Sequence, residues 1–211
     1  YDGMIPDSIR GVMEIVVADT GNKERLLSAV RAIARSERIG GIIGMTDGAL
    51  ENVAWVAREA GFPFLNWDAA RRARNKDRTR AICRSLGIPA PRFARARDLM
   101  GALASARKIG FPCILKASRG TGSAQVVLCR SEREAEAHAG RLITEVARLG
   151  GVLLVEEFVK GPLYSMEAVT FGGKTRVLGF TDRVMGSHPY FTEIADSFPV
   201  HFAPEMESAI S

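Results

Sequence analysis

The stretch FPCILKASRGTGSAQV, residues 111–126, decides the fold of this chain. Pro112 opens a short apolar run that predicts a buried strand, and Lys116 places a cation at the end of that strand. The residues that follow are small, and the backbone N–H groups of residues 120–123 can approach an anion closely. The pattern therefore predicts a phosphate site. A plain β-hairpin is the alternative interpretation, since residues 126–129 have the pattern of a second strand.

Composition places the chain among α/β proteins. It has 211 residues, of which 46% are hydrophobic, so it can bury a proper core. No apolar run approaches the ~20 residues that cross a bilayer, and the first residues lack the order of a signal peptide. Cys83, Cys113 and Cys129 have no metal-ligand spacing. We therefore expect reduced thiols, a cytoplasmic location and no membrane partner.

The net charge is +5, and basic residues are densest in RRARNKDRTR, residues 71–80. No aromatic residue interleaves with this cluster, and the signature of a nucleic-acid-binding module is missing from the sequence. We expect a solvated helix face that supplies one or two phosphate contacts, and no nucleic-acid partner.

The first part of the chain, residues 1–74, alternates between strand and helix patterns. Strands are predicted at residues 15–18, 41–45 and 63–65, and helices at residues 23–38 and 47–60 with Asp47 as an N-cap. This alternation indicates a parallel sheet covered by helices.

The second part begins near Asn75 and mixes helices with antiparallel strands. Helices are predicted at residues 76–86, 98–109 and 132–149, and strands at residues 113–129 (a hairpin), 152–155, 165–171 and 175–180. Gly172 and Gly173 form the turn between the last two strands. The layout is α+β.

Four segments of the second part resemble the ATP-grasp superfamily of carboxylate-amine or carboxylate-thiol ligases, in that family's order. They are residues 75–77 before 87–91, residues 111–126, residues 155–162 and residues 179–199. The resemblance extends from about residue 15 to residue 199. It implies a partial, Rossmann-like pre-ATP-grasp domain over residues 1–74 and an ATP-grasp domain over residues 75–211.

The resemblance implies how ATP is held. Lys76 and Lys116 take the positions that grip the phosphates, where a lysine acts as a point charge. The backbone of the turn would cap the outer phosphates, with contacts at Ser118, Gly120, Thr121, Gly122, Ser123 and Ala124. The segment of Glu156, Glu157, Phe158 and Val159 matches the linker strand whose main chain recognises adenine, with Glu156 near the amino group. Taken alone, Lys76 fits a surface lysine, and the two glutamates fit the exposed end of a strand.

One position departs from the family pattern. Relatives often read GPEYS after the linker, with the glutamate on the ribose hydroxyls, whereas this chain reads GPLYS at residues 161–165. The side chain of Leu163 cannot accept those hydrogen bonds. Glu167 is our substitute candidate.

The last segment is most similar to the L-amino-acid ligase branch of the superfamily. It reads GFTDR at residues 179–183 and YFTEIADSFP at residues 190–199. The resemblance implies that Glu193 lies beside Mg²⁺ and the amino-acid substrate, with Arg183 and Asp196 as further catalytic candidates. Asp196 stands where some relatives carry histidine. A solvated loop is the alternative interpretation of residues 190–199.

The family's usual continuation, an acidic strand and a Glu-x-Asn element that binds Mg²⁺, is not found before Ser211. Since the chain also begins at Tyr1 rather than at a methionine, we expect that it is part of a longer protein.

The expected function is that of an ATP-dependent ligase. ATP phosphorylates a small-molecule carboxylate, and an amine, with amino acids as the leading choice, attacks the acylphosphate to give an amide or peptide. A homo-oligomer is compatible with this expectation. The alternative is a nucleotide-binding module or degenerate paralogue without ligase activity, which Leu163 and the missing metal segment favour. P-loop enzymes and kinases are disfavoured, because no Gly-Lys-Ser/Thr occurs and Gln125 replaces the third glycine of G-x-G-x-x-G.

Overall fold

The computed structural model describes residues 14–210 of the chain. The chain divides into two compact units, Tyr1–Arg74 and Asn75–Ser211. Within the described residues no helix is both long and apolar enough to cross a membrane.

The described part of the first unit, residues 14–74, contains three helices, α1 (Lys23–Ser36), α2 (Leu50–Ala60) and α3 (Trp67–Ala73). Helices α1 and α2 pack against each other and bury Leu27, Val53, Ala54, Val56 and Ala57. The side chain of Asn22 caps α1 by accepting a hydrogen bond from the backbone N–H of Arg25 at 3.0 Å. Both helices predicted in this part of the chain are therefore confirmed.

The three strands predicted in the first unit do not form among its described residues. Val17, Ile43 and Met45 lie in two of these apolar segments and are 87%, 73% and 82% exposed. A short strand is stabilised by a paired neighbour and by burial of one face. Because these segments have no paired neighbour among residues 14–74, the prediction of strands is wrong here. The mixed class of helices and strands holds for the chain as a whole.

Asp47 is not the N-cap of α2. The cap position is Ala49, and no side chain closes the first turn of the helix. Oδ2 of Asp47 instead lies 3.2 Å from Nη1 of Arg74. A carboxylate that pairs with a guanidinium there does not reach the N–H groups of the first helical turn, so this prediction is wrong.

The second unit contains a four-stranded antiparallel sheet. After helix α4 (Lys76–Ser85), the chain forms β1 (Phe93–Ala96), α5 (Leu99–Ile109), β2 (Cys113–Ala117), β3 (Val126–Cys129), α6 (Glu132–Arg148) and β4 (Leu153–Glu157). The strand order is β1-β4-β2-β3. Helix α5 packs against β1 and β4, and α6 packs against β2 and β3. Their shared core includes Leu115, Val127, Leu142, Leu153 and Val155. The predicted hairpin and all three predicted helices are confirmed.

A second antiparallel sheet follows in the order β5 (Leu163–Phe171), β6 (Lys174–Met185) and β7 (Glu193–Val200), and α7 (Pro204–Ile210) comes after it. Gly172 and Gly173, with φ of 55° and 76°, form the two-residue turn that was predicted. The solvated-loop interpretation of residues 190–199 is wrong over β7, because residues 193–200 pair with β6.

Candidate active site

The turn between β2 and β3, residues 118–125, has an unusual backbone conformation. Gly122 and Ser123 both have positive φ, 62° and 57°. Within residues 14–210, Ser123 is the only residue other than glycine with a positive φ. Outliers of this kind concentrate at ligand sites, where the surrounding structure holds them. A turn conformation can direct successive N–H groups towards an anion, so the backbone here suits a phosphate.

Lys76 lies at the base of this turn. Its Nζ donates a hydrogen bond to the carbonyl of Gly120 at 2.8 Å, and its backbone N–H donates to the carbonyl of Ser118 at 2.9 Å. A Cβ at Gly120 would lie 3.2 Å from the Cβ of Ala117 and 3.2 Å from Oε1 of Gln125. The start of α4 and the turn are thus tied together, and the ammonium of Lys76 lies beside the predicted phosphate site.

Ser118 has a structural role. It is 1% exposed, and its Oγ accepts a hydrogen bond from the backbone N–H of Val152 at 2.9 Å. Its own backbone N–H donates to the carbonyl of Val152 at 2.9 Å. A Cβ at Gly151 would come within 2.8 Å of this hydroxyl. The side chain of Ser118 therefore stabilises the buried base of the turn, while Thr121 and Ala124 are exposed.

Glu156 is a buried carboxylate between two cations. It is 2% exposed; Oε2 lies 2.5 Å from Nζ of Lys116, and Oε1 lies 3.1 Å from Nε of Arg80. Lys116 faces Leu154 in the register of β2 and β4, so Lys116 and Glu156 are diagonal neighbours on one face. Burying a carboxylate is costly unless it is paired, and two cations satisfy this requirement. Arg80 was not predicted as a site residue, because no local sequence motif links it to Glu156, which is 76 residues away in the sequence.

The next residues of the predicted adenine linker, 157–159, are not buried as Glu156 is. Oε2 of Glu157 is 3.0 Å from Nε of Arg92, and hydrogen bonds from the Arg92 side chain and backbone lower the pKa of Glu157. Alternation along β4 turns this side chain away from the face of Glu156. The ring of Phe158 contacts the ring of His188 edge-on at 5.7 Å, and Val159 is 66% exposed. Because the Glu157 side chain is paired with Arg92, only the main chain of Glu157 can take the predicted role of recognising adenine.

A polar network crosses the second sheet. Nη1 of Arg183 lies 2.5 Å from Oε2 of Glu193, and Nε of Arg183 donates to Oγ of Ser165 at 3.2 Å. The Ser165 hydroxyl donates to Oε1 of Glu167 at 2.8 Å, and the Thr181 hydroxyl donates to the same oxygen at 3.2 Å. Arg183 and Ser165 thus connect two of the acids that the sequence singled out.

Asp196, the third of these acids, is the register partner of Arg183 across β6 and β7. Directly paired residues of antiparallel strands project from the same face, so Asp196 lies on the face that carries Arg183.

A cleft with a volume of about 530 Å³ joins the turn to this network. It is lined by Gly122, Ser123, Ala124, Arg183, Tyr190, Thr192 and Glu193. Two motifs that are far apart in the sequence therefore contribute to one site. Tyr190 and Thr192 were not predicted as site residues. Both stand in the quoted YFTE segment, but nothing local indicates that this segment reaches the turn.

The segment between β6 and β7, residues 186–192, reaches the turn because it pairs with β3. Tyr190 forms a β-bridge with Val127, and the backbone N–H of Leu128 donates to the carbonyl of Pro189 at 2.8 Å. The Tyr190 ring also contacts the His138 ring edge-on, at 6.3 Å between centroids. These contacts bring the beginning of β7, and with it Glu193, to the Gly-rich turn.

The residues present fit only part of a magnesium site. Among residues 14–210 no group of three or more His, Cys, Asp and Glu side chains is arranged to hold a metal. In nucleotide sites Mg²⁺ takes one or two protein carboxylates together with phosphate oxygens. Glu193 and Asp196 have this chemistry, but Glu193 is paired with Arg183.

Comparison with known proteins bears on the nucleotide half of this site. Residues 75–169 match the family model described as the carbamoyl-phosphate synthase L chain, ATP binding domain. The chain is 28% identical over 196 residues to the uncharacterized protein y4rH of Sinorhizobium fredii. The aligned region covers 92% of this chain and 40% of that protein. It is 26% identical over 206 residues to carnosine synthase 1 of Mus musculus, and that aligned region covers 88% of this chain and 24% of the synthase.

A solved structure shows the same fold. The L-amino acid ligase from Bacillus licheniformis has a TM-score of 0.71 at 24% identity, over 90% of this chain and 44% of that chain. The chain thus spans less than half the length of each of these three proteins. The resemblance inferred from the four sequence segments is confirmed, since residues 75–169 match the model of an ATP binding domain.

Proposed function

We propose that this chain is part of an ATP-dependent ligase that activates a carboxylate as an acylphosphate for attack by an amine. The observation that carries the proposal is the single cleft in which the Gly-rich turn meets Arg183 and Glu193. A turn suited to phosphate and a charged pair suited to a carboxylate and an amine are the two parts that such a reaction needs.

In this proposal the phosphates of ATP lie against the backbone N–H groups of residues 120–124, with Lys116 and Lys76 neutralising their charge. The description of the matching family model supports the nucleotide part. Adenine would lie along the main chain of residues 156–159, where the Phe158 ring offers an apolar wall. Glu167 remains our candidate for the ribose hydroxyls, held in orientation by Ser165 and Thr181.

The reaction has two steps. A carboxylate oxygen of the first substrate attacks the γ-phosphorus, the bond to the β,γ-bridging oxygen breaks, and ADP leaves. The amine then attacks the acyl carbon, phosphate leaves, and the amine loses a proton, which gives the amide. Mg²⁺ would neutralise phosphate charge, with Glu193 and Asp196 as its candidate carboxylates.

Arg183 and Glu193 would orient the substrates. A guanidinium can bind a carboxylate or a phosphoryl oxygen with two parallel hydrogen bonds, and a carboxylate can accept from a substrate ammonium. The similarity to carnosine synthase 1 and to the L-amino acid ligase supports amino-acid substrates. A cytoplasmic location belongs to the same proposal, because Cys83, Cys113 and Cys129 are all free thiols.

A second candidate is a nucleotide-binding module without ligase activity. Leu163 favours it, because a leucine stands where relatives place the ribose-binding glutamate, and its side chain offers no acceptor.

The discriminating experiment uses the full-length protein and measures ATP binding by calorimetry and ADP release over pairs of amino acids and other small carboxylates and amines. We expect ADP release that requires both a carboxylate and an amine. ATP binding without release for any pair would favour the second candidate. If the protein binds no ATP, both candidates are wrong.

A further inference from the structure

We infer that Arg80 is a positioning residue for Lys116, and that it acts through the buried carboxylate of Glu156. Arg80 lies outside the predicted site, and it does not line the cleft formed by the turn and the Arg183–Glu193 pair. The inference rests on the proposed nucleotide site, because it concerns how a cation of that site is released to bind phosphate.

Helix α4 carries two cations that are about one turn apart. Lys76 and Arg80 are four residues apart, so they project from the same side of the helix on successive turns. Lys76 contacts the carbonyl of Gly120 in the turn, and Arg80 contacts Glu156. One helix therefore supplies a cation to the turn and a second cation to the carboxylate that holds Lys116.

The charge of Glu156 is shared by two cations. Glu156 is 2% exposed, and its two oxygens are divided between Lys116 and Arg80. When Lys116 moves from Glu156 to a phosphate, the buried carboxylate needs another cation, since an unpaired buried charge is costly. Arg80 supplies that cation. Without it, the move of Lys116 would leave Glu156 with neither of these ion pairs.

Lys116 and Arg80 differ in how readily they can change partners. The flexible stem and rotatable ammonium of Lys116 let it exchange one anion for another. The planar guanidinium of Arg80 is always charged and is anchored by its helix, so it can stay with Glu156. Arg80 and Glu156 thus form a fixed pair, and Lys116 is the partner that moves.

The test measures ATP affinity by calorimetry in the full-length protein at fixed salt concentration, in two backgrounds. Arg80→Met should weaken ATP binding by about tenfold in the parent. In the E156Q background the same change should alter affinity by less than about twofold, because a neutral amide does not hold Lys116. Arg78→Met, which removes the same charge from an exposed position of α4, is the matched control and should change affinity by less than about twofold.

Arg80→Lys is a second variant, which can still be measured if Arg80→Met fails to fold. It keeps the cation, so affinity should recover to within about threefold of the parent. An equal loss for Arg80→Met in both backgrounds would mean that Arg80 contacts the nucleotide or only supports the helix, and would overturn the inference. So would Arg80→Lys binding as weakly as Arg80→Met. If Lys116→Ala leaves ATP affinity unchanged, the proposed nucleotide site is wrong as well. If Lys116→Ala weakens binding but Arg80→Met does not, only this inference is wrong.

Discussion

The guanidinium of Arg183 and the carboxylate of Glu193 form an ion pair across β6 and β7, with 2.5 Å between Nη1 and Oε2. Both side chains line the cleft to which Gly122, Ser123 and Ala124 of the Gly-rich turn also contribute. An ion pair in a substrate cleft can separate to bind the opposite charges of an amino acid, which is why we assign it to the substrates rather than to adenine.

Changing Glu193→Gln should therefore separate turnover from nucleotide binding. We expect ATP affinity, measured without Mg²⁺ because Glu193 is also a candidate metal ligand, within about twofold of the parent. Substrate-dependent ADP release with Mg²⁺ should be lower by at least about tenfold, since the lost contact forms along the reaction path. Glu136→Gln, at an exposed position of α6, is the control. Normal turnover of Glu193→Gln with every accepted substrate pair would remove Glu193 from the mechanism.

The tip of the turn should respond to nucleotide. Residues 119–124 carry no large apolar side chain that could anchor the tip in the core before a ligand binds. Hydrogen exchange over this segment should slow when a non-hydrolysable ATP analogue is added. The amide of Leu128, already bonded to the carbonyl of Pro189, serves as an internal reference. Equal exchange at the tip with and without the analogue would argue against a phosphate-covering turn.

Ser118 should matter for stability more than for binding chemistry. Ser118→Ala removes the acceptor of the Val152 N–H and leaves that part-buried donor unsatisfied, which should lower the free energy of unfolding by about 1–3 kcal/mol. The matched control is Ser85→Ala at an exposed position near the end of α4, where a loss below about 0.5 kcal/mol is expected. Urea unfolding of the parent, Ser118→Ala and Ser85→Ala measures these differences. A stable Ser118→Ala variant with weakened ATP binding would instead indicate a direct contact.

The pH dependence of stability should reflect two buried thiols. Cys113 and Cys129 face each other across β2 and β3, and burial raises the pKa of Cys113 to about 11 and that of Cys129 to about 12, from 9.0. As pH rises above 9, the unfolded chain loses these protons while the folded chain keeps them. The unfolded state then binds fewer protons, so stability falls as pH rises.

The free energy of unfolding is measured at pH 8 and at pH 10.5, one below and one above the ordinary pKa of a thiol. The difference between the two is compared for the parent and for Cys113→Ala/Cys129→Ala. The double variant should lose less stability over this interval. Cys83→Ala, which removes the partly exposed thiol, should behave as the parent does. The same loss in all three proteins would show that other groups cause the alkaline destabilisation.

The sequence predicted well those features that depend on local patterns. The helices around residues 23–38 and 98–109 follow from periodicity. The hairpin with Lys116 at the end of its first strand was likewise visible, because its apolar run and small turn residues are contiguous.

Features that depend on distant partners were not predicted. Apolar residues such as Val17 and Ile43 suggested strands, but strands also need neighbours, and periodicity does not reveal these. The pairing of Tyr190 with Val127 joins segments of different sheets, so no local pattern could place Tyr190 in the cleft. Arg80 was seen only as one of several basic residues, because its role depends on the buried Glu156.

The most direct test of the central claim is calorimetric titration of full-length Lys116→Ala with ATP and Mg²⁺, beside the parent and Lys108→Ala, an exposed lysine of α5. Loss of a charge-assisted phosphate contact should weaken ATP binding by about ten- to a hundredfold, while Lys108→Ala should match the parent. Unchanged affinity in Lys116→Ala would contradict the account and leave the turn as a plain hairpin.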